Sequence, residues 1–334
     1  MSILDGVVEK DSFCYGNAKL ENPVVIVYGE DGFEMPMGVS MTSVIRNHPD
    51  RNIMFHVFTE GSAANFSEHL KKLSALAAES ANICIHVHVL DASALDSMPT
   101  TMAISKATYY RFLMDRFVGD VQFVIYMDCD IVCLRPMDFN MMYDAEAVIS
   151  AVQDLPEVAR ESAGRLGLHS PYFNAGVLVI NLPQWRARHI VFKAMAYLDQ
   201  NPETTLMDQD ALNAVLAAEG DGSVHYLPDG YNFEYDAPTA ERIPMPDDVV
   251  LLHYIAEKPW YPWLDHPARH YFFDEKARSL WKDTPLPLPR NYKQRHRMAL
   301  HCMKHHAWMN GLQWYLQYIV TKPLERCRKH GRRG

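Results

Sequence analysis

Two aspartates one residue apart, Asp128 and Asp130, follow the apolar run Phe123-Val124-Ile125-Tyr126-Met127 and precede Ile131-Val132. A short run of β-branched and aromatic residues predicts a buried strand. Along an extended segment residues i and i+2 face the same side, so the two carboxylates are expected to converge on one point. Carboxylates brought together at the end of a buried strand repel each other and lose hydration. A divalent cation removes that cost, and oxygen ligands suit Mn²⁺ or Mg²⁺ rather than zinc.

Other readings fit the same stretch. One is a pair of solvated loop aspartates. Another is the strand-Asp-x-Asp of aspartate-based phosphohydrolases, where the first aspartate is a nucleophile rather than a ligand. The surrounding chain must decide.

With 334 residues and 48% apolar composition the chain can bury a large core in one or two domains. A net charge of −9 excludes a nucleic-acid binder that uses its whole surface. The charge is uneven, because residues 290–333 are rich in Lys and Arg and nearly free of acid. No apolar stretch approaches the ~20 residues that span a bilayer, and no leader with a charged start and an apolar centre is evident. The cysteines are Cys14, Cys84, Cys129, Cys133, Cys302 and Cys327, with no two pairs at zinc-site spacing. They are expected to be reduced thiols of a cytosolic protein, Cys84 simply packing in a strand.

The elements that must position the aspartates alternate. Strands are predicted over 24–28, 53–58 and 83–90, and helices over 37–46, 66–78 and 105–117, the last leading into the aspartate strand. Strand, helix, strand, helix at this spacing predicts an α/β sheet of mostly parallel strands. In such sheets ligands sit at the carboxyl ends of the strands, where the loop at 29–32 and the aspartate pair both fall. Further on, 176–181 and 249–254 read as strands, the latter delivering His253, and 182–198 and 208–218 as helices. Residues 1–22 lack periodicity and read as an N-terminal extension. The run Pro285-Leu286-Pro287-Leu288-Pro289 divides a catalytic body, 23–284, from a basic aromatic helical tail, 285–334.

Six motifs in order over 24–263 resemble glycosyltransferase family 8, retaining enzymes of the GT-A fold that include bacterial lipopolysaccharide galactosyl- and glucosyltransferases. They are Tyr28-Gly29-Glu30-Asp31, Thr108-Tyr109-Tyr110-Arg111, Tyr126-Met127-Asp128-Cys129-Asp130, Tyr172-Phe173-Asn174-Ala175-Gly176-Val177, Asp208-Gln209-Asp210, and His253-Tyr254 with Lys258-Pro259-Trp260. The resemblance displaces the phosphatase reading, whose aspartates normally follow the first strand of the fold. It implies Asp128, Asp130 and His253 as ligands of Mn²⁺ or Mg²⁺, with positions left for the diphosphate of a UDP-sugar. It makes Lys258 a point charge on that diphosphate. Tyr28 and Glu30 or Asp31 would meet the nucleoside. Arg111, Asp128, Asn174, Asp208 and Gln209 would meet the donor sugar, and Gly176 would let backbone approach it closely. Asp208 is a candidate nucleophile. Gln209 is a poor one, so front-side attack by the acceptor hydroxyl is expected.

The resemblance also implies a hexose, galactose or glucose, passed to a saccharide acceptor such as lipopolysaccharide core. Two departures stand out. Ile255-Ala256-Glu257 is a residue shorter than the family's usual spacer and lacks its glycine, which puts Glu257 near the diphosphate site. The nucleotide loop, Glu30-Asp31-Gly32, departs from the family's Asp-rich stretch. A relative that binds nucleotide sugar without turnover would fit the shortened spacer. The tail interleaves Lys and Arg with Trp308, Trp314, Tyr315, Leu316, Tyr318 and Ile319, which predicts attachment to an anionic membrane surface, and the resemblance implies a lipid-linked acceptor at the cytoplasmic face of the inner membrane.

Overall fold

The structure is a computed structural model describing residues 3–100, 105–237 and 245–330, the side chains of 326–330 excepted. Cys327 therefore lies outside the described side chains, and 331–334 outside the described residues.

The central sheet has eight strands. In chain order these are β1 (Val8–Gly16), β2 (Val24–Glu30), β3 (Ile53–Thr59), β4 (Ile83–Asp91), β5 (Phe123–Met127), β7 (Ile149–Gln153), β8 (Phe173–Asn181) and β9 (Val224–Tyr226). Their spatial order is β1-β4-β3-β2-β5-β8-β7-β9. Strands β4, β3, β2 and β5 run parallel, while β1 on β4 and β8 between β5 and β7 are antiparallel. A small sheet sets β6 (Ile131–Cys133) beside β11 (Leu251–His253), which pairs with β10 (Phe233–Glu234).

The apolar run of β2 is explained by burial on both faces. Ile26 and Tyr28 enter one core layer, under α1 (Glu34–Asn47) and α2 (Phe66–Ala78). Val25 and Val27 enter the other, with Tyr109, Phe112 and Trp185. Between α2 and β9 lie α3 (Met114–Phe117), α4 (Phe139–Met142), α5 (Pro156–Leu166), α6 (Leu182–Ala187), α7 (Ile190–Gln200) and α8 (Met207–Ala218).

Four segments differ from their sequence-based expectations. The N-terminal extension carries β1, whose side chains are largely exposed; only Phe13 and Tyr15 pack against the core, too few to leave an alternating pattern to read. The expected helix at 105–117 is a 3-10 segment, Lys106–Phe112, followed by the single turn α3. The helix expected over 182–198 breaks at His189, whose φ is 54°, into α6 and α7. The aspartate strand also breaks. Asp128, Cys129 and Asp130 form a turn between β5 and β6, so the two carboxylates converge across that turn rather than along one strand.

Beyond the sheet, α9 (Arg269–Arg278) is fastened to α1 by Arg46 Nη1, 2.6 Å from Glu275. A helical hairpin follows, α10 (Tyr292–Lys304) and α11 (Trp308–His330), closed by Arg295 on Glu325 at 2.7 Å. Glu257 and Asp265 of the body meet Arg297 and His305 of α10 at 2.9 Å each. No described helix is long and apolar enough to cross a membrane.

Candidate active site

The carboxyl ends of β5 and β11 and the amino end of β8 meet at one point. Asp130 Oδ1 lies 3.3 Å from His253 Nε2, and Asp128 Oδ2 lies 3.9 Å from the same nitrogen. These three residues offer ligand atoms all within 4.8 Å of one another. Asp130 Oδ1 is buried and accepts no hydrogen bond among the described residues, despite its closeness to the imidazole. That orphaned oxygen and the hard oxygen-nitrogen donor set fit a divalent cation between them. The other ring nitrogen, His253 Nδ1, is 3.0 Å from Asn232 Oδ1, which fixes the ring so that Nε2 faces the aspartates. Gly176 is required here by the imidazole: a Cβ at 176 would meet His253 Cε1 at 2.4 Å.

Lys258 closes one side. Its ammonium donates to Asp130 Oδ2 at 2.5 Å and to the Tyr254 carbonyl at 2.6 Å. Burial works against ionisation of Asp130, but Lys258 and His253 outweigh it and hold this carboxyl well below the usual carboxylate range. The shortened spacer therefore still delivers the lysine. It does so with Ala256 in the left-handed region, φ 52°, where a glycine is ordinarily favoured. Glu257 points to α10 and pairs with Arg297, so its charge is spent away from the aspartates.

Arg111 organises the opposite side. The guanidinium donates to the Thr108 and Ala175 carbonyls, and lies 3.2 Å from Asp128 Oδ1 and 3.0 Å from Asp208 Oδ2. It also covers the Tyr126 ring at 4.2 Å, and the Tyr126 hydroxyl donates to Asp128 Oδ1 at 2.9 Å. Thr108 Oγ1 donates to Asp208 Oδ1 at 2.6 Å. Burial pushes both Asp128 and Asp208 up, and Arg111 opposes it in each case. Each oxygen of Asp208 is thus engaged.

Gln209 is held at both ends of its amide. Its carbonyl accepts from the Ala175 N–H at 2.9 Å, and its Nε2 donates to Asp154 and the Tyr172 hydroxyl. Asp210 faces away from this group. It accepts from Arg165, Tyr172, Thr204 and two backbone N–H groups, a brace for the start of α8. Asn174 accepts from the Gly176 N–H and from Asn232, and donates to Glu234 at 2.9 Å.

The loop after β2 is less uniform. Tyr28 is fully buried with its hydroxyl 2.9 Å from Ser40, so its ring belongs to the core and is not presented to a nucleoside. Glu30 is buried as well, accepting from Thr59 and from the Phe33 N–H, and burial aided by Glu34 pushes it up to about 7. Asp31 is exposed. Between these two, the exposed carboxylate is the one free to meet a ligand.

Residues 24–264 match the sequence pattern of glycosyl transferase family 8, and residues 266–322 that of the family's C-terminal region. The chain belongs to glycosyl transferase family 8. It is 32% identical to the lipopolysaccharide 1,3-galactosyltransferase of Salmonella typhimurium over 90% of this chain and 91% of that one. Against the lipopolysaccharide glucosyltransferase WaaO of Escherichia coli K12 the identity is 30%, over 89% and 90%. The crystal structure of galactosyltransferase LgtC with donor and acceptor sugar analogues superposes with a TM-score of 0.63 at 25% identity, covering 80% of this chain and 98% of LgtC.

Family 8 enzymes pass a hexose from a UDP-sugar, and this chain is a hexosyltransferase of that kind with a GT-A-like fold. The phosphohydrolase reading of Asp128 is set aside by membership of family 8, and the carboxylate itself is tied to Arg111 and Tyr126.

Sequence reasoning gave no role to Asp154, Asn232 and Glu234. Asp154 directly follows the carboxyl end of β7, so the strand-end rule would have found it. Asn232 and Glu234 come from a short 3-10 turn and a two-residue strand, which carry no periodic signal.

Proposed function

We propose that the chain moves galactose or glucose from its UDP derivative to a lipid-linked saccharide of the lipopolysaccharide-core type, with retention at the anomeric carbon. The observation that carries this reading is the triangle of Asp128, Asp130 and His253, with Lys258 on one side and the Arg111–Asp208–Gln209 group on the other. The acceptor class is supported by the two curated relatives, both lipopolysaccharide hexosyltransferases.

The three triangle residues would hold Mn²⁺, with Mg²⁺ as the alternative, and the ion would neutralise charge on the departing UDP. Lys258 supplies a second positive charge beside it. Asp31 meets the nucleoside. Arg111, Asp208 and Asn174 orient the sugar, and the clamped Gln209 amide lies beside its reacting face. Asp208 is already neutralised by Arg111, and Gln209 is a weak nucleophile, so the acceptor hydroxyl attacks from the side of the departing phosphate.

The body, 23–284, carries the transfer, and the tail, 285–334, attaches it to the cytoplasmic face of the inner membrane. The support for attachment is a row of exposed apolar residues on α11: Trp308, Leu312, Leu316, Ile319, Val320 and Leu324. Basic side chains flank that row.

The test is release of UDP from a panel of UDP-sugars, with Mn²⁺ and with EDTA, by the wild type and Asp130→Ala. Slow hydrolysis of one donor, abolished by EDTA and by the substitution, is the expected result and names the sugar. Release from a donor that survives EDTA would overturn the metal-dependent reading, and release from no UDP-sugar would overturn the donor class.

A further inference from the structure

A second cluster of ligand-type side chains lies at the far edge of the sheet, on β1 and β4. Cys14 of β1 stands directly opposite His86 of β4 in the antiparallel register, and Cys84 lies two residues before His86. Alternation along a strand puts Cys84 and His86 on one face of β4, and a directly opposed pair shares a face, so all three side chains rise on the same side. Gly16 stands opposite Cys84 and contributes no side chain that would fill the space.

The distances match a coordination polyhedron. Cys14 Sγ is 3.8 Å from Cys84 Sγ and 3.5 Å from His86 Nε2, and the ligand atoms of all three lie within 4.8 Å of one another. A tetrahedral zinc ion, with bonds of ~2.3 Å to sulfur and ~2.05 Å to nitrogen, separates two sulfurs by about 3.8 Å and sulfur from nitrogen by about 3.5 Å. Two of the three edges therefore already have the required length. A disulfide would instead need the sulfurs at ~2.05 Å.

We propose that Cys14, Cys84 and His86 bind a zinc ion that ties the edge strand β1 to β4, with water as the fourth ligand on the exposed side. The donor set is soft, two thiolates and an imidazole, unlike the hard oxygen-rich triangle at Asp128 and Asp130. Mn²⁺ or Mg²⁺ suits the latter, and neither competes well for the sulfurs. Binding exchanges the two thiol protons for two sulfur–metal bonds and releases those protons to solvent.

The neighbouring side chains fix the imidazole. His86 stacks on His56 with ring centroids 5.0 Å apart. His56 in turn contacts His88 Nε2 at 2.9 Å, and His88 Nδ1 lies 2.6 Å from Glu9. That chain runs back to β1, so the metal and the Glu9–His88 contact would hold the strand at two points.

The test uses the reduced, metal-stripped full chain with Co²⁺ as a spectroscopic probe. A sulfur-to-cobalt charge-transfer band is expected in the near ultraviolet, displaced by Zn²⁺ at one equivalent. It should vanish in Cys14→Ser, whose side chain is exposed and not needed for packing, and bind at least tenfold more weakly in His86→Gln. Asp128→Asn should leave it intact. Zn²⁺ should also raise the unfolding midpoint of the wild type and not of Cys14→Ser, while UDP release by Cys14→Ser stays at the wild-type rate. The sulfur band also separates this site from Asp265, His301 and His305, another close group that has no thiolate. No sulfur band at saturating Co²⁺, a band unchanged in Cys14→Ser, or a Cys14–Cys84 disulfide that persists in the presence of zinc would each overturn the proposal.

Discussion

Arg111 Nε lies 3.0 Å from Asp208 Oδ2 while its Nη2 lies 3.2 Å from Asp128 Oδ1, so one buried guanidinium holds two carboxylates, one just past the end of β5 and one in the first turn of α8. Removing one partner of a buried ion pair leaves an uncompensated charge, which typically costs about 3–5 kcal/mol. Arg111→Leu should therefore lower unfolding stability by that order in urea titrations and abolish transfer. Asp208→Asn, which keeps the shape, should lose turnover without any sugar–protein adduct forming in the wild type. Wild-type turnover in Asp208→Asn would remove Asp208 from the donor site, and a trapped adduct at Asp208 by mass spectrometry would replace front-side attack with double displacement.

Asn232 touches His253 Nδ1 and lies outside the ligand triangle. Partners of this kind typically set ten- to a hundredfold in metal affinity. Asn232→Ala should raise the Mn²⁺ concentration needed for half-maximal UDP release by about that factor, with kcat at saturating Mn²⁺ much less changed. An unaltered Mn²⁺ requirement would show that the imidazole is oriented by other contacts.

The candidate site was legible in the sequence where a motif sits at a strand's carboxyl end. Asp128, Asp130 and His253 do, and the structure brings them together with Asn174 from the amino end of the antiparallel β8. The parallel core strands were legible too, because burial on both faces leaves continuous apolar runs such as Val24–Tyr28. What the pattern hid was local. The 3-10 geometry at Lys106–Phe112 has the same composition as a helix, and β1 covers only Phe13 and Tyr15, too little to betray it. Tyr28 and Glu30 stand in a motif, yet their side chains point into the core, a direction that spacing alone does not specify.

Glu30 gives a pH signature. Its carboxyl moves from 4.5 to about 7 on folding, chiefly through burial. The folded chain therefore binds the extra proton between these values. The stability this group contributes is fully present below about pH 4.5 and is lost as pH rises towards 7, by roughly 3 kcal/mol at most. Glu30→Gln should flatten that part of the stability–pH curve. A curve of unchanged slope in the variant would place the titration elsewhere.

Ala256 occupies the left-handed region in the spacer between His253 and Lys258. A side chain there costs about 1–2 kcal/mol, partly offset by the greater freedom glycine has when unfolded. Ala256→Gly should stabilise the protein by about 1 kcal/mol in denaturant titrations. Donor hydrolysis should be little changed, because the Lys258–Asp130 contact is already made. A destabilised variant would mean that the methyl group packs usefully in this turn.

The apolar row on α11 has no described neighbour covering it, whereas α10 is fastened to the body through Arg297 and His305. A helix that keeps Trp308, Met309, Leu312, Leu316 and Leu324 in water gains by laying them into a lipid surface, and each nearby Lys or Arg adds roughly 1 kcal/mol at an anionic one. Deletion after Pro289 removes Arg295 and Arg297 along with the row, so a finer variant is needed beside it. Leu312→Glu with Leu316→Glu keeps the hairpin's charged contacts and places acid on the row. Both proteins should leave anionic liposomes in flotation assays while retaining UDP-sugar binding in solution. Liposome binding that survives both changes would mean that the row is covered by protein and not by lipid.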